Sequence, residues 1–369
     1  MKKIFVTKSS IAPFDEYVNE IKDIWETRWM TNMGEKHNLL ERQLEEFLDV
    51  KNVALCVNGH SALEMCIEAM NLKGEIITTP FTFISTTNSI IRMGCTPVFC
   101  DIDPVTYTID ANKIEDLITD KTVAIMPVHV YGNVCDVEEI DRIAKKHNLK
   151  VIYDAAHTFA ESYKGKGITS YGDASILSFH ATKVFNTIEG GAICTNDDDL
   201  KKKIQILRDF GISGDENIDL VGTNSKMNEF AASMGICNLR HIGEELAKRK
   251  IVFDRYNENL KDVDGITLTP YQPELGRNYA YYPVIIDSAL YRHDRNELFE
   301  ELKKNNIFAR KYFYPLTNKP NCISSVFDSG NTPVAEIISN SVLTLPMYAD
   351  LDLETVDFIS NVIKEFKNK

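Results

Sequence analysis

Between residues 50 and 200, short apolar segments alternate with segments of helical spacing, and this alternation limits the fold more than any other feature of the chain. The apolar segments predict β-strands at 53–57, 75–79, 97–100, 123–128, 151–153, 174–179 and 192–195. Helical spacing predicts helices at 62–70, 137–147 and 198–209. Strands that alternate with helices form a mostly parallel sheet covered on both faces. We therefore predict an α/β fold.

The sequence changes in character after about residue 260. A long helical stretch is predicted over 229–260, and beyond it a Tyr-rich strand at 279–286 and helices at 296–305 and 353–366. A chain of 369 residues exceeds the size at which a single core usually divides. We therefore expect a large domain over residues 1–260, which includes an amphipathic segment at 15–29, and a small carboxyl-terminal domain over 261–369.

Polar side chains follow two of the predicted strands. Asp154 ends the strand at 151–153 and His157 comes three residues later, while Ser178 and Lys183 lie at and just beyond the end of the strand at 174–179. Open α/β sheets bind their ligands at the carboxyl ends of the strands. A carboxylate, an imidazole, a hydroxyl and an amine suit a cofactor with a cationic ring nitrogen, a phenolic oxygen, a phosphate and an aldehyde. Pyridoxal 5′-phosphate (PLP) has these four groups.

A second polar turn follows the first predicted strand of the sheet. Gly59, His60 and Ser61 lie between the strand at 53–57 and the helix at 62–70. The first amides of a helix have no intrahelical acceptor, and together with the helix dipole they favour an anion. This turn is therefore a candidate cradle for the phosphate.

Composition excludes several other classes of protein. The formal net charge of −13, without a basic cluster, disfavours nucleic acid as a partner. No apolar run reaches the ~20 residues that a membrane span needs, and the first ten residues have no apolar core of a signal peptide. The eight cysteines form no C-x-x-C pair, which argues against a metal site and a disulfide framework. A reduced, cytoplasmic protein is expected.

These motifs together resemble a known family. Asp154-Ala155-Ala156-His157, the segment SFHATK at 178–183, and Glu189-Gly190-Gly191 are similar to the DegT/DnrJ/StrS sugar aminotransferases, and similar landmarks run from Trp29 to Pro346. The resemblance implies the fold of aspartate aminotransferase (fold type I), with a mostly parallel seven-stranded sheet in the large domain and an α+β small domain. It also implies PLP as cofactor, with pyridoxamine 5′-phosphate as intermediate.

The resemblance assigns roles to individual residues. Lys183 would bind the cofactor covalently and transfer protons, Asp154 would contact the ring nitrogen, and His157 the ring oxygen. The other residues implied to bind the cofactor are Gly59, His60, Ser61, Phe83, Ser178 and Asn224. Asn224 would reach the phosphate of the partner subunit in a homodimer, with Asn228 as second choice. The residues implied to contact substrate are Trp29, Thr31, Asn32, His180 and Tyr314.

Three positions depart from the family pattern. His60 stands where Thr is usual, His157 where Gln is frequent, and Lys226 where Arg is common. The first change would be tolerated if position 60 binds through its backbone amide. The second would be tolerated because His and Gln can both donate a hydrogen bond at position 157. An ammonium cannot reproduce the planar contacts of a guanidinium at position 226.

The resemblance implies transfer of the amino group of L-glutamate to C4 of a dTDP-4-keto-6-deoxyhexose, giving dTDP-4-amino-4,6-dideoxyglucose and 2-oxoglutarate for O-antigen or another surface glycan. Three alternatives remain open. Amination could occur at C3 of a 3-keto sugar. A related sugar dehydratase would carry His in place of Lys183, and a non-catalytic regulatory protein would be expected to lose Asp154 or Lys183, but both residues are present.

Overall fold

The computed structural model describes residues 3–369. Its helices are α1 (Phe14–Glu20), α2 (Lys22–Thr27), α3 (Glu35–Leu48), α4 (Gly59–Ala69), α5 (Ile84–Arg92), α6 (Val137–His147), α7 (Asp198–Leu207), α8 (Glu229–Arg240), α9 (Ile242–Leu260), α10 (Ser288–Tyr291), α11 (Arg295–Lys304), α12 (Asn321–Ser324), α13 (Pro333–Ser341) and α14 (Leu353–Lys367). None of the helices in this part of the chain is both long and apolar enough to cross a membrane.

The strands are β1 (Ile4–Phe5), β2 (Asn52–Cys56), β3 (Glu75–Thr78), β4 (Thr96–Phe99), β5 (Thr122–Met126), β6 (Lys150–Asp154), β7 (Ser162–Tyr163), β8 (Lys166–Gly167), β9 (Ala174–Ser178), β10 (Gly191–Thr195), β11 (Ile212–Gly214), β12 (Asn217–Ile218), β13 (Ile266–Thr267), β14 (Leu275–Gly276), β15 (Tyr282–Ile286), β16 (Ile307–Phe308) and β17 (Val342–Leu345).

A seven-stranded sheet with the order β2-β10-β9-β6-β5-β3-β4 forms the centre of the molecule. Strand β10 is antiparallel to both of its neighbours, and the remaining pairs are parallel. Every residue of β2 and β10 is buried. One face of the sheet packs against α4 and α7, and residues of α3 and α8 cover the other face around β2 and β10. The predicted α/β fold, with a mostly parallel sheet of seven strands, is confirmed.

A second hydrophobic core lies towards the carboxyl end of the chain. It contains residues of α9, α11, α14 and the three-stranded sheet β13-β15-β17. The helical stretch predicted over 229–260 is divided at His241, and α9 contributes Val252, Phe253 and Tyr256 to this second core. Strand β1 pairs in parallel with β16, so residues near the amino end also pack here. The domain boundary at residue 260 stays a prediction.

A buried ion pair joins α3 to the central sheet. One oxygen of Glu41, Oε1, accepts hydrogen bonds from Arg208 Nη1 at 2.7 Å and from the Leu55 amide of β2 at 3.0 Å. Arg208 also donates to the Leu55 carbonyl at 2.7 Å, and His37 Nε2 lies 3.2 Å from Glu41. Burial alone would raise the pKa of Glu41, but the hydrogen bond with His37 and the charge of Arg208 outweigh it and lower the pKa to about 2. Glu41 is therefore an ionised carboxylate held by three elements of the fold.

Candidate active site

A cavity of about 320 Å³ lies at the carboxyl ends of β6 and β9. Its wall is formed by strand ends, by the turn before α4, by the start of α5 and by two residues that follow β16. The side chains that line it include Asp154, His157, Ser178, Lys183, Phe83, Arg310 and Tyr312. The cavity has the volume of a small-molecule site and combines apolar walls with a few convergent polar groups.

Asp154 ends β6 and is 6% exposed. Its Oδ2 accepts a hydrogen bond from the Thr86 hydroxyl at 2.8 Å, and its Oδ1 accepts one from the Ala156 amide at 3.2 Å. Burial raises the pKa of Asp154 above its ordinary value, while these two donors and the charge of Lys183 act in the opposite direction. Within residues 3–369, no cationic nitrogen lies within 4.0 Å of the carboxylate. A buried carboxylate in this position favours a cationic ligand atom.

The protonation of His157 is defined by its neighbours. The backbone amide of Tyr131 donates to His157 Nδ1 at 3.0 Å, so the ring proton lies on Nε2. Burial lowers the pKa of His157 well below its ordinary value, and the ring is therefore neutral. The ring stacks against Phe313 at a centroid distance of 5.9 Å. His157 thus offers a fixed Nε2–H donor beside Asp154.

Lys183 follows β9 by five residues and points its amine between the cavity and Tyr281. Its Nζ donates to the Tyr281 hydroxyl at 3.4 Å. Among the ion pairs of residues 3–369, none involves Lys183 within 4.0 Å. A lysine side chain without a carboxylate partner is available to bond to a ligand aldehyde.

The turn before α4 has the geometry of an anion cradle. Asn58 caps the helix, and its side chain accepts the Ser61 amide at 2.8 Å. The amides of Gly59 and His60 precede any intrahelical acceptor and border the cavity. A Cβ at Gly59 would lie 3.0 Å from the Cβ of Ser178, so glycine allows the turn to approach the end of β9. Ser61 is absent from the cavity wall and its amide is occupied by Asn58, so its contact with the cofactor stays a prediction.

Two aromatic rings flank the cavity opening. Phe83 is 53% exposed although it is a large apolar residue, and its ring lies 6.5 Å from that of Tyr312. An exposed ring on a cavity wall is suited to stacking on a flat ligand. The imidazole of His60 is held by Ser85, which also lines the cavity, with Nδ1 at 2.8 Å from Ser85 Oγ. His60 can therefore contribute its amide independently of its imidazole.

The structure does not bring every predicted site residue into this cavity. His180 lies at the rim, where its Nδ1 is 2.9 Å from the Thr182 hydroxyl. Trp29 lines a separate cleft, and Thr31 and Asn32 are exposed outside the cavity. Tyr314 lies under the Arg295 guanidinium at 4.9 Å. Asn224 and Asn228 are exposed outside the cavity, and the substrate and partner-subunit roles of all these residues stay predictions.

Several residues of the site were not predicted from the sequence. Asn58 could have been found, because Asn is a preferred helix cap and it directly precedes the predicted turn. Thr86, Tyr281 and Arg310 carry no comparable local signal, since they reach the site by tertiary packing.

Behind the site, Glu161 is buried without a cation within 4.0 Å among the described residues. It is 3% exposed, its Oε1 accepts the Asn278 amide at 3.1 Å, and its Oε2 has no partner within residues 3–369. Asn278 also donates to the His157 carbonyl at 2.8 Å, which connects Glu161 to the loop of the site. Burial raises the pKa of Glu161 to about 8.

We expect Glu161→Gln to stabilise the protein increasingly as the pH rises from 5 to 8. Between the ordinary pKa of 4.5 and the folded value of about 8, the unfolded chain has lost a proton that the folded chain retains. Wild-type stability therefore falls through this window, by on the order of a few kcal/mol, whereas the variant has no proton to lose. Urea denaturation at pH 5, 6.5 and 8 measures the difference. The exposed Glu46→Gln is the control, and a constant difference for Glu161→Gln across the three values would contradict the expectation.

The donor set fits PLP. The buried Asp154 carboxylate can pair with a pyridinium nitrogen, the His157 Nε2–H can donate to a phenolic oxygen, and the amides before α4 lie beside Ser178 for a phosphate. Lys183, which has no carboxylate partner within 4.0 Å, lies within the same cavity wall. The fold and the site thus define a protein of the PLP-binding aminotransferase class.

Comparison with known proteins gives the family. The sequence pattern of the DegT/DnrJ/EryC1/StrS aminotransferase family matches residues 14–364, and the chain belongs to this family. The chain is 42% identical over 366 residues to the dTDP-4-amino-4,6-dideoxy-D-glucose transaminase of Shigella dysenteriae, covering 99% of this chain and 100% of that protein.

Solved structures agree with this assignment. The crystal structure of DesI in the presence of its TDP-sugar product is similar with a TM-score of 0.96 and 28% identity, covering 100% of this chain and 94% of the other. Spr1654 from Streptococcus pneumoniae, solved in its PLP form, is similar with a TM-score of 0.92 and 26% identity, covering 100% of this chain and 99% of the other.

Proposed function

We propose that this protein is a PLP-dependent aminotransferase that moves the amino group of L-glutamate to the C4 keto group of a dTDP-4-keto-6-deoxyhexose. The products are dTDP-4-amino-4,6-dideoxyglucose and 2-oxoglutarate. The observation that carries the proposal is the convergence of Lys183, Asp154 and His157 on one cavity beside the turn before α4. The similarity to the Shigella dysenteriae transaminase supports the particular sugar.

PLP supplies a ring that accepts electron density when a proton leaves the carbon beside the amine. The Asp154 carboxylate, held by Thr86 and the Ala156 amide, favours a protonated ring nitrogen. His157 orients the ring through a donor that its contact with Tyr131 fixes. Phe83 covers the ring and excludes water from it. These residues bind and orient the cofactor and set its charge.

Lys183 performs the proton transfer. Its amine would hold the cofactor through the aldehyde, and once free it would take the proton from Cα of the amino donor. No carboxylate among residues 3–369 lies within 4.0 Å of Nζ to hold it as an ammonium ion. At the same site Lys183 would return a proton when the keto sugar takes up the amino group, so the two substrates would bind in turn.

An acidic amino donor suits the charge of the cavity. Arg310 lines the cavity beside Tyr312, with its guanidinium 5.4 Å from the ring centroid, and has no carboxylate partner within 4.0 Å among the described residues. A guanidinium binds a carboxylate with two parallel hydrogen bonds. L-Glutamate, with two carboxylates, is the proposed donor.

A second copy of the chain would complete the site. Large apolar side chains are exposed in the hairpin β11-β12 and next to it, namely Phe210, Ile212, Ile218 and Val221. Asn224 is exposed next to this surface. Burial of such a surface favours association, and in the proposed homodimer Asn224 reaches the phosphate of the partner subunit.

The cysteines favour the cytoplasm as the location of the reaction. All eight are free, and seven of them are buried. Free thiols persist in a reducing compartment. The amino sugar is proposed to serve O-antigen or another surface glycan.

Proton NMR of the product tests the proposed function. The protein is incubated with PLP, glutamate and either the 4-keto or the 3-keto dTDP-6-deoxy sugar in separate tubes. We expect a new amine at C4, with no conversion of the 3-keto sugar and little conversion when alanine replaces glutamate. Ring couplings give its orientation.

An amine at C3 alone would retain the fold and the cofactor but contradict the regiochemistry. No amine with either sugar would contradict the proposed substrate. Equal conversion with alanine would contradict the role of Arg310 in selecting an acidic donor.

A further inference from the structure

Tyr281 contacts Lys183 from the side that faces away from the main cavity. The only hydrogen bond that the Lys183 amine makes within residues 3–369 is the 3.4 Å contact with the Tyr281 hydroxyl. Both residues, together with His157, line a separate void of about 10 Å³. Tyr281 is absent from the wall of the main cavity. Its hydroxyl therefore meets the free amine without occupying the space for cofactor and substrate.

The acceptor at this position is uncharged. Burial raises the pKa of Tyr281 to about 12, with the positive charges of Arg310 and Arg249 acting in the opposite direction. The hydroxyl is therefore a neutral phenol at physiological pH. A carboxylate here would stabilise the ammonium form of Lys183, whereas a phenol oxygen orients the amine with a smaller bias towards that form.

The ring of Tyr281 is fixed by its surroundings. Its centroid lies 4.4 Å from that of His157, 5.9 Å from that of Tyr312 and 6.0 Å from that of Tyr131. Asn278 accepts the Ala280 amide at 2.9 Å and donates to the His157 carbonyl at 2.8 Å. The segment that carries Tyr281 is thus tied to the loop that carries His157. The hydroxyl is held at one place relative to the rest of the site.

We propose that the Tyr281 hydroxyl holds the Lys183 amine whenever that amine is not bonded to the cofactor, and so directs its return to the cavity. Tyr281 is in this sense a positioning residue for Lys183. This inference rests on the proposed function. Without the hydroxyl, the amine would sample more orientations, and each step in which the free amine must reach its target would become slower.

Tyr281→Phe tests this role, with Tyr282→Phe as matched control. The variant removes one oxygen and retains the ring, and the control removes the neighbouring phenol oxygen, which donates to Asn257 in the second core at 2.8 Å. The first readout is the rate at which PLP attaches to the cofactor-free protein. Absorbance measures this rate at several PLP concentrations and pH values. We expect Tyr281→Phe to slow the saturated attachment step about threefold to tenfold, the factor that one neutral hydrogen bond corresponds to. The concentration at half-saturation should not change.

The same variant should lower kcat by a similar factor and leave the KM for the sugar within about twofold. Tyr282→Phe should match the wild type in both assays. Melting temperatures establish that each variant is folded.

If PLP attached to Tyr281→Phe at the wild-type rate and with the wild-type pH dependence, the inference would be overturned. Failure of the wild type to attach PLP at Lys183 would instead overturn the proposed function.

A measurement without cofactor keeps the test independent of the folding of Tyr281→Phe. With tyrosine labelled by ¹³C at the ring carbon that bears the hydroxyl, the resonance of Tyr281 should differ between cofactor-free wild type and cofactor-free Lys183→Ala. The resonance of Tyr282 should be the same in both. An unchanged Tyr281 resonance would show that the amine does not rest on this hydroxyl in solution, and would also overturn the inference.

Discussion

Replacing Lys183 by alanine is expected to lower amino transfer by a factor of at least about 10⁴ while leaving the fold intact. The variant loses the amine that is proposed both to bind the cofactor and to move the proton at the donor Cα. Lys183 is only partly buried, and its amine makes a single long hydrogen bond within the described residues. Its loss should therefore have little effect on stability. Product NMR measures the rate, and thermal denaturation measures the stability.

Covalent labelling tests the bond between Lys183 and the cofactor separately from the proton transfer. After incubation with PLP and reduction with borohydride, the wild-type peptide that contains Lys183 should gain the mass of the cofactor, and the variant should gain none. Lys166→Ala, at an exposed lysine of β8, is the control and should be labelled and active like the wild type. Amino transfer by Lys183→Ala within tenfold of the wild-type rate would assign the chemistry to another base.

Replacing Glu41 by alanine is expected to destabilise the protein by about 3–5 kcal/mol. Arg208 is 1% exposed, and loss of Glu41 leaves its guanidinium buried without a negative partner. The Leu55 amide of β2 loses its acceptor as well. Urea denaturation at pH 7 measures the change.

Two further variants show whether the buried charge is the cause. Glu41→Gln retains an acceptor for the Leu55 amide but leaves the Arg208 guanidinium without a negative partner, so it should cost nearly as much as Glu41→Ala. Glu45→Ala, one turn further along α3, removes a carboxylate that pairs with Lys201 at 2.6 Å but is 24% exposed. It should cost about 1 kcal/mol. Equal losses for Glu41→Ala and Glu45→Ala would contradict the importance of burial.

The sequence predicted those parts of the site that local patterns determine. Asp154 and Ser178 end apolar strands, and the carboxyl ends of parallel strands meet at one edge of a sheet, so both were expected at the same place. The fold follows from the same alternation of strands and helices. The stretch over 229–260, predicted as one helix, forms two helices that meet at His241. The prediction missed this break because the hydrophobic spacing continues across it.

The remaining residues reach the site through long-range packing. Thr86 lies 68 residues from Asp154, and Tyr281 lies 98 residues from Lys183. Their contacts depend on how α5 and the segment before β15 pack against the sheet, which no local spacing specifies. Trp29, Thr31, Asn32 and Asn224 are different, because they lie outside the cavity of one chain. Their predicted roles would require a bound substrate or a second copy.

The pairing of β1 with β16 determines when parts of the molecule can assemble. Ile4 pairs with Ile307, so 303 residues separate the two positions along the chain. Beyond β1, the Asn186 side chain donates to the Ser10 carbonyl at 2.8 Å, close to the loop of Lys183. During synthesis the amino-terminal strand has no partner until β16 has left the ribosome, whereas the central sheet is complete once β10 has emerged. The sheet can thus form first, and docking of the amino-terminal arm is among the last steps of folding.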